Sequence, residues 1–368
     1  MKRALLFLAL IIILDARRSA AQPVFSGLEV LGSPASGRFP PVGPAACWSG
    51  AGRRAPQASP SVPVRAAQPL RTRYPIVLAH GIMGFRCIQV AGVNFGNYFR
   101  GVEAHLRDLG VNLAADNVGM TNSVEQRAQR LKEQIDLHYP GQKVNIIAHS
   151  LGGLDSRQMI TQLGMADRVA SLTTVGTPHR GTYMADWACD YVGHGMGVEK
   201  LLNELGITVD AVHDLTSNWC RNFNTRTPDM PQVRYFSYGG QQPWYDITPA
   251  FVPCYWLMRV KETVLAGRSL DPVTEDYLLE QPWGKDVLAF ARAEQQRVAL
   301  VGVQDSDREI FARTKGANDG LVPLSKTSWG ESFTVIPMDH LDQIGWLTSM
   351  DAPAYYELVV RDLVEKGL

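Results

Sequence analysis

From Tyr74 onward, short runs of β-branched and other apolar residues alternate with stretches whose apolar positions recur at helical spacing. The pattern predicts strands over residues 75–79, 111–115, 143–149 and 169–175, separated by helices over 98–109, 124–138 and 151–163. A parallel pair of strands needs a crossover about as long as a helix, so this alternation predicts a mostly parallel central sheet with helices on both faces, an α/β fold. Strands over 233–238 and 334–338 and a closing helix over 353–364 continue the pattern, but long segments intervene. Residues 178–232 and 241–296 read as two cap insertions; the first holds the amphipathic stretch 198–205, the second the apolar stretch 251–258. Apolar segments above the rim of such a sheet can form a lid or an acyl pocket, and buried helices would give the same pattern.

The N-terminal region follows a different pattern. Lys2-Arg3, eleven apolar residues ending at Leu14, and Ser19-Ala20-Ala21 have the layout of a secretory signal peptide over residues 1–21, which predicts a secreted, extracellular protein. The apolar run is too short to span a bilayer. Residues 22–73 hold nine of the 22 prolines and no sustained apolar period, and so predict a disordered Pro/Arg-rich leader ahead of a folded domain over 74–368. The formal charge is zero, yet residues 1–21 carry +3 and residues 22–73 carry +5, which leaves −8 on the remainder. An acidic body argues against nucleic acid as a partner. Five cysteines leave at least one unpaired within the chain and none has metal-type spacing; Cys189 with Cys220 is the preferred bridge in an oxidising compartment.

Candidate chemistry centres on Ala148-His149-Ser150-Leu151-Gly152, where an apolar strand runs directly into a helix. A nucleophilic serine projects from a strand-to-helix turn so tight that the residues two positions away must be small, as Ala148 and Gly152 are. Serine also needs a base, an orienting acid and donors for the developing oxyanion. The Leu151 amide at the helix start is one such donor, and the Ile82 amide in His80-Gly81-Ile82, just past the first strand, is the other. Asn318-Asp319-Gly320 supplies an acid and Asp339-His340 a base in the order Ser, Asp, His, with Asp305 and Asp339 as runner-up acids. Asn-Asp-Gly is otherwise a plain turn and His340 otherwise a packed loop residue. His149, adjacent to the serine, reads as structural, with its side chain pointing away.

Residues 74–85, the Ser150 elbow, Gly176-Thr-Pro-His-Arg-Gly181, residues 318–322 and His340-Leu-Asp342 together resemble the secreted bacterial triacylglycerol lipases of the Pseudomonas and Burkholderia type. The resemblance covers about 74–368 and is weakest in the middle. It implies an α/β-hydrolase fold with a mobile lid, Ser150 as nucleophile, Asp319 and His340 as its partners, and Ile82 and Leu151 as oxyanion donors. It also implies a structural calcium with Asp342 as ligand, for which Asp271 is the nearest textual match to a second carboxylate. Ala148 stands where the family usually has glycine. Pro323-Leu324-Ser325 lacks the cysteine those lipases place after the Asn-Asp-Gly turn, so their disulfide does not carry over. The function implied is hydrolysis of lipid carboxylic esters at a lipid–water interface, acylglycerols first, with a carboxylesterase, phospholipase or thioesterase as the alternative on the same triad. No organic cofactor is implied, and a dedicated folding chaperone is left open. A catalytically dead binding module is disfavoured because every triad position is filled.

Overall fold

The computed structural model describes residues 30–31, 69–82, 88–90, 93–115, 118, 122–192, 209–346 and 350–368. Among the described residues there are nine strands: β1 (Val30–Leu31), β2 (Ile76–Ala79), β3 (Ile88–Val90), β4 (Val93–Gly96), β5 (Leu113–Ala115), β6 (Val144–His149), β7 (Val169–Val175), β8 (Arg234–Gly240) and β9 (Ser332–Ile336). Among the same residues eleven α-helices accompany them: α1 (Val102–Asp108), α2 (Val124–His138), α3 (Leu151–Gln162), α4 (Tyr183–Val192), α5 (Val209–His213), α6 (Ser217–Arg226), α7 (Val252–Leu265), α8 (Pro272–Glu280), α9 (Gly284–Val301), α10 (Asp305–Thr314) and α11 (Ala352–Glu365).

The main sheet has the order β1-β9-β8-β7-β6-β2-β5. Every pairing in it is parallel except β1 with β9. With six parallel strands, all carboxyl ends lie on one edge, where ligands of open α/β sheets bind. Alternation along β2 divides the core: Ile76 and Leu78 pack with α1 and α11, while Val77 and Ala79 pack with α2 and α3. Both faces are covered, which is why β2, β6 and β7 are buried along their whole lengths. Helix α2 shows how sequence sets this layer. Ser123 caps it by accepting from the Gln126 amide, and Val124, Ala128, Leu131 and Ile135 form one buried stripe. Fully burying a side chain such as Leu131 or Ile135 stabilises by about 1.5–3 kcal/mol.

Two long excursions leave the sheet after β7 and β8. Between β7 and β8 the chain forms α4 to α6; between β8 and β9 it forms α7 to α10, with a separate core of Tyr255, Trp256, Met258, Leu278, Leu288 and Phe290. This second excursion runs to Thr314, beyond the 241–296 expected, because α10 is polar around most of its surface and carries no apolar stripe. The amphipathic 198–205 stretch lies outside the described residues, as do the signal and leader segments apart from Val30–Leu31 and 69–73. Those last residues already belong to the domain: Leu70 is buried and its amide donates to the Leu109 carbonyl, while that of Arg73 donates to the Leu368 carbonyl. The expected Cys189–Cys220 bridge is absent. Cys220 is a buried thiol turned toward the Pro178 and Asp214 carbonyls at 3.6 and 3.5 Å, and burial pushes it up to about 12.

Candidate active site

β6 ends at His149, and the next residue makes the turn. Ser150 has φ 55° and ψ −128°, a conformation that L residues other than glycine avoid and that costs on the order of 1–3 kcal/mol. Its surroundings hold it there: the Ser150 amide donates to the Val175 carbonyl at 2.9 Å, and the Thr177 hydroxyl donates to the Ser150 carbonyl at 2.8 Å. Gly152 lets α3 begin hard against the end of β2, since a side chain there would stand 2.7 Å from the Ala79 carbonyl oxygen and 2.8 Å from that of His80. The serine is thereby presented at the carboxyl edge of the sheet.

Asp319 and His340 reach the same point from loops bordering β9. His340 Nε2 lies 2.9 Å from Ser150 Oγ, and His340 Nδ1 lies 2.8 Å from Asp319 Oδ2. The His340 amide also donates to the Asp319 carbonyl at 2.9 Å, so ring and backbone are fixed to the same residue. Asp319 is fully buried, with Oδ1 accepting from the Leu321 and Val322 amides and Oδ2 accepting from Gln343 Nε2 at 2.9 Å. Asp305 opens α10, and Asp339 has other partners: Oδ1 accepts from the Leu341 and Asp342 amides, and Oδ2 from the amide and hydroxyl of Thr248. Burial raises the Asp339 carboxyl above its ordinary range. The structure thus joins Ser150, His340 and Asp319 and leaves both runner-up acids out.

The loop after β2 meets the serine from the other side. A side chain on Gly81 would stand 2.7 Å from Ser150 Cβ, so only glycine allows this approach. Arg127 Nη2 donates to the carbonyls of His80 at 2.7 Å and Gly81 at 3.2 Å, and His80 Nδ1 lies 2.9 Å from the Gly81 oxygen. A peptide unit is planar and trans, so fixing the Gly81 carbonyl aims the Ile82 N–H the opposite way. Ile82 packs against the cluster containing Leu151 and Leu154, and the Leu151 amide opens α3, where no intrahelical acceptor exists. Arg127 itself is fully buried and pairs with buried Asp155 at 2.8 Å. Burial dominates that carboxyl, raising it to about 7 against the pull of Arg127. His80 is lowered to about 4, by burial first and the Arg127 charge second, and is therefore a neutral ring at pH 7.

His149 does not turn away from the site. Its ring centroid is 4.6 Å from that of His340, Nδ1 lies 2.7 Å from the Tyr98 hydroxyl, and Nε2 lies 3.2 Å from Gln343 Oε1. Burial first, and the neighbouring His340 second, hold it well below the ordinary histidine range. Sequence reading missed Gln343, Tyr98 and Arg127. Only Arg127 carried a signal, since it lies on the apolar stripe of α2, three positions after Val124 and four before Leu131.

The described residues offer a calcium ion no set of carboxylate ligands. Among the described residues no group of three or more His, Cys, Asp or Glu side chains could hold a metal. Asp342 is buried beside Asp339, and Asp271 caps α8 through Thr274 on an exposed surface. Hard cations of this size want six or more oxygens, and the four donors on Asp339 already occupy that carboxylate.

Chemically, the arrangement can move a proton from Ser150 Oγ to His340 and hold the resulting imidazolium against Asp319, beside a loop and a helix start that offer amide donors. The model of the palmitoyl protein thioesterase family matches residues 75–226. Over 310 residues the chain is 35% identical to a triacylglycerol lipase of Pseudarthrobacter phenanthrenivorans, covering 75% of this chain and 90% of that one. It is 34% identical over 310 residues to a triacylglycerol lipase of Burkholderia plantarii, covering 75% and 80% respectively. Among solved structures it resembles lipase 1 from Pelosinus fermentans, with a TM-score of 0.51 at 16% identity over 79% of this chain and 98% of that one, a likeness of fold.

Proposed function

Because this chain belongs to the family of the triacylglycerol lipases and is a lipid ester hydrolase, we propose that Ser150, His340 and Asp319 are its nucleophile, base and acid, and that its substrates are acylglycerols. The observation that carries this reading is the 2.9 Å and 2.8 Å pair of contacts through His340, made to a serine held at positive φ.

In this mechanism His340 Nε2 takes the Ser150 proton as Oγ attacks the ester carbonyl carbon. The carbonyl oxygen becomes an oxyanion and is met by the Ile82 and Leu151 amides, which are aimed before charge develops and so need no reorganisation. Asp319 accepts from Nδ1–H, which keeps Nε2 free to accept and stabilises the imidazolium without taking its proton. The C–O bond to the glycerol oxygen then breaks as Nε2–H protonates that oxygen, leaving an acyl-Ser150 ester. Water gives a proton to Nε2 as it attacks the acyl carbon, and the bond to Oγ then breaks as Nε2–H returns that proton to Oγ, releasing the fatty acid and free serine.

Ser150→Ala should lower hydrolysis of a short soluble ester on the order of 10⁴-fold or more and abolish covalent labelling by an organophosphonate. Undiminished labelling of the alanine variant would sink the assignment. The thioesterase family match over 75–226 favours a second reading, acyl thioesters on the same serine. A side-by-side assay of an emulsified triacylglycerol and a long-chain acyl thioester decides between them. The Lys2-Arg3, apolar run and Ser19-Ala20-Ala21 pattern supports export, and exported protein should then begin at Gln22 when its N-terminus is sequenced.

A further inference from the structure

Behind the serine, four groups form one continuous line of hydrogen bonds. The Tyr98 hydroxyl meets His149 Nδ1 at 2.7 Å; His149 Nε2 meets Gln343 Oε1 at 3.2 Å; and Gln343 Nε2 meets Asp319 Oδ2 at 2.9 Å. Tyr98, His149 and Gln343 are all buried, so no bulk water can substitute for a partner turned the wrong way.

The direction of each bond follows from the carboxylate end. An ionised carboxylate only accepts, so Gln343 must present its NH₂ to Asp319 and its oxygen to His149. That oxygen only accepts, so His149 must carry its proton on Nε2, and Nδ1 is then an acceptor. With Nδ1 an acceptor, the Tyr98 hydroxyl proton goes to Nδ1. Space is matched as well as polarity. Gln343 Oε1 abuts Gly176 and Nε2 abuts Gly240, at the ends of β7 and β8, where any side chain would collide with the amide.

We propose that Tyr98, His149 and Gln343 are positioning residues forming a one-way relay in which the Tyr98 hydroxyl selects the His149 tautomer, and thereby makes the acid meet an amide N–H instead of an amide oxygen. The relay rests on the reading of Asp319 as the catalytic acid. Without the phenol, His149 can place its proton on Nδ1, and Gln343 is then free to rotate and turn its oxygen on Asp319. The carboxylate loses a donor, faces an acceptor, and holds the His340 proton too tightly for efficient return to the leaving alcohol.

Tyr98→Phe removes one oxygen and keeps the ring. On a short soluble ester it should lower kcat about 10-fold with KM within about twofold, the scale of one hydrogen bond to a charged group. The acid limb of kcat/KM should move to higher pH, which a packing defect would not do. Gln343→Met should show the same shift, and the double variant should lose no more than Gln343→Met alone, because both changes break one line. Nitrogen NMR of histidine-labelled protein should find His149 protonated on Nε2 in the parent and as a tautomer mixture in Tyr98→Phe, a readout independent of turnover. Multiplicative losses, an unmoved pH profile, or an Nδ1-protonated His149 in the parent would overturn the relay. If instead Asp319→Asn kept full turnover while the His149 tautomer still followed Tyr98, the reading of Asp319 as acid would be the part that failed.

Discussion

The seam behind Ser150 and the cap between β8 and β9 are both buried, yet they are specified by opposite means. In the seam, side chains are polar and each fixes the next by direction: Asp319, Gln343, His149 and Tyr98 in one line, Arg127 and Asp155 in another. In the cap, Tyr255, Trp256, Met258, Leu278 and Phe290 hold α7, α8 and α9 together through apolar contact, which sets few angles. Directional groups give one geometry and punish any change; apolar packing tolerates volume-conserving exchange. The chemistry is thus held apart from the cap, and each should respond to mutation in its own way.

The contrast breaks most visibly at the acid. Asp319→Asn should cut turnover on the order of 10⁴-fold while the melting temperature stays within a few degrees, since the wrong tautomer of His340 is then favoured. Asp305→Asn should leave turnover within about twofold, and if it instead reproduced the large loss the acid has been misassigned. Next comes the buried pair. Asp155→Asn removes the carboxylate that faces buried Arg127 at 2.8 Å and should cost about 3–5 kcal/mol in urea unfolding. A loss below about 1 kcal/mol would mean the pair is incidental to holding the Gly81 loop.

Acid should sharpen the comparison further, because the seam side of the molecule holds neutral histidines. Burial, as the largest cause, lowers His80 to about 4 and holds His149 and His179 well below their ordinary value. Below pH 6.5 the unfolded chain protonates these rings and the folded chain does not, so their contribution is complete above pH 6.5 and is lost as pH falls toward 4. For His80 alone this amounts to about 3 kcal/mol. Asp155 and Asp339, raised by burial, act in the opposite sense, so the diagnostic is a difference. Between pH 6.5 and 4, His179→Gln should flatten the stability–pH slope relative to the parent by about one proton. Parallel slopes would place His179 outside the titrating set.

The smallest effects belong to the cap surface. Trp244 and Tyr245, 37% and 63% exposed, follow the end of β8, with Trp244 against Trp256 and Tyr277. Replacing both by alanine should change stability by about 0.5 kcal/mol or less and leave short-ester turnover within about twofold. Hydrolysis of an emulsion should fall severalfold, because exposed aromatic rings favour a lipid–water boundary. Equal losses on both substrates would assign these rings to the site itself.

The same division decided what the sequence made legible. Helix α2 and strand β7 match their expected bounds because an apolar stripe after a Ser cap, and a seven-residue run rich in Val and Thr, are local signals. The β3–β4 hairpin alternates apolar and polar residues over only about one turn of pleat in each strand, too short a signal to announce it, and α10, polar along most of its length, looked like loop. Ser150, Asp319 and His340 each sit at a strand end or turn with its own motif, so their meeting could be anticipated from order alone. Gln343 could not: a neutral amide three residues past a histidine carries no motif, and its place depends on two glycines from other strands. Calcium was expected from Asp342 by resemblance, but the oxygen atoms around it are shared among protein donors.

The 190 positions between Ser150 and His340 also set a schedule. As the chain is synthesised, the elbow and the strands on either side of it, β2 and β7, emerge long before the base exists. On the proposed triad, a partly made molecule has the serine and lacks the base that would deprotonate it. Only when β9 and the loop carrying His340 arrive does the second half of the proton path close. Hydrolytic competence would in this sense be a late event in the chain's assembly, and a truncation upstream of His340 should yield a product without its base, however much of the sheet it retains.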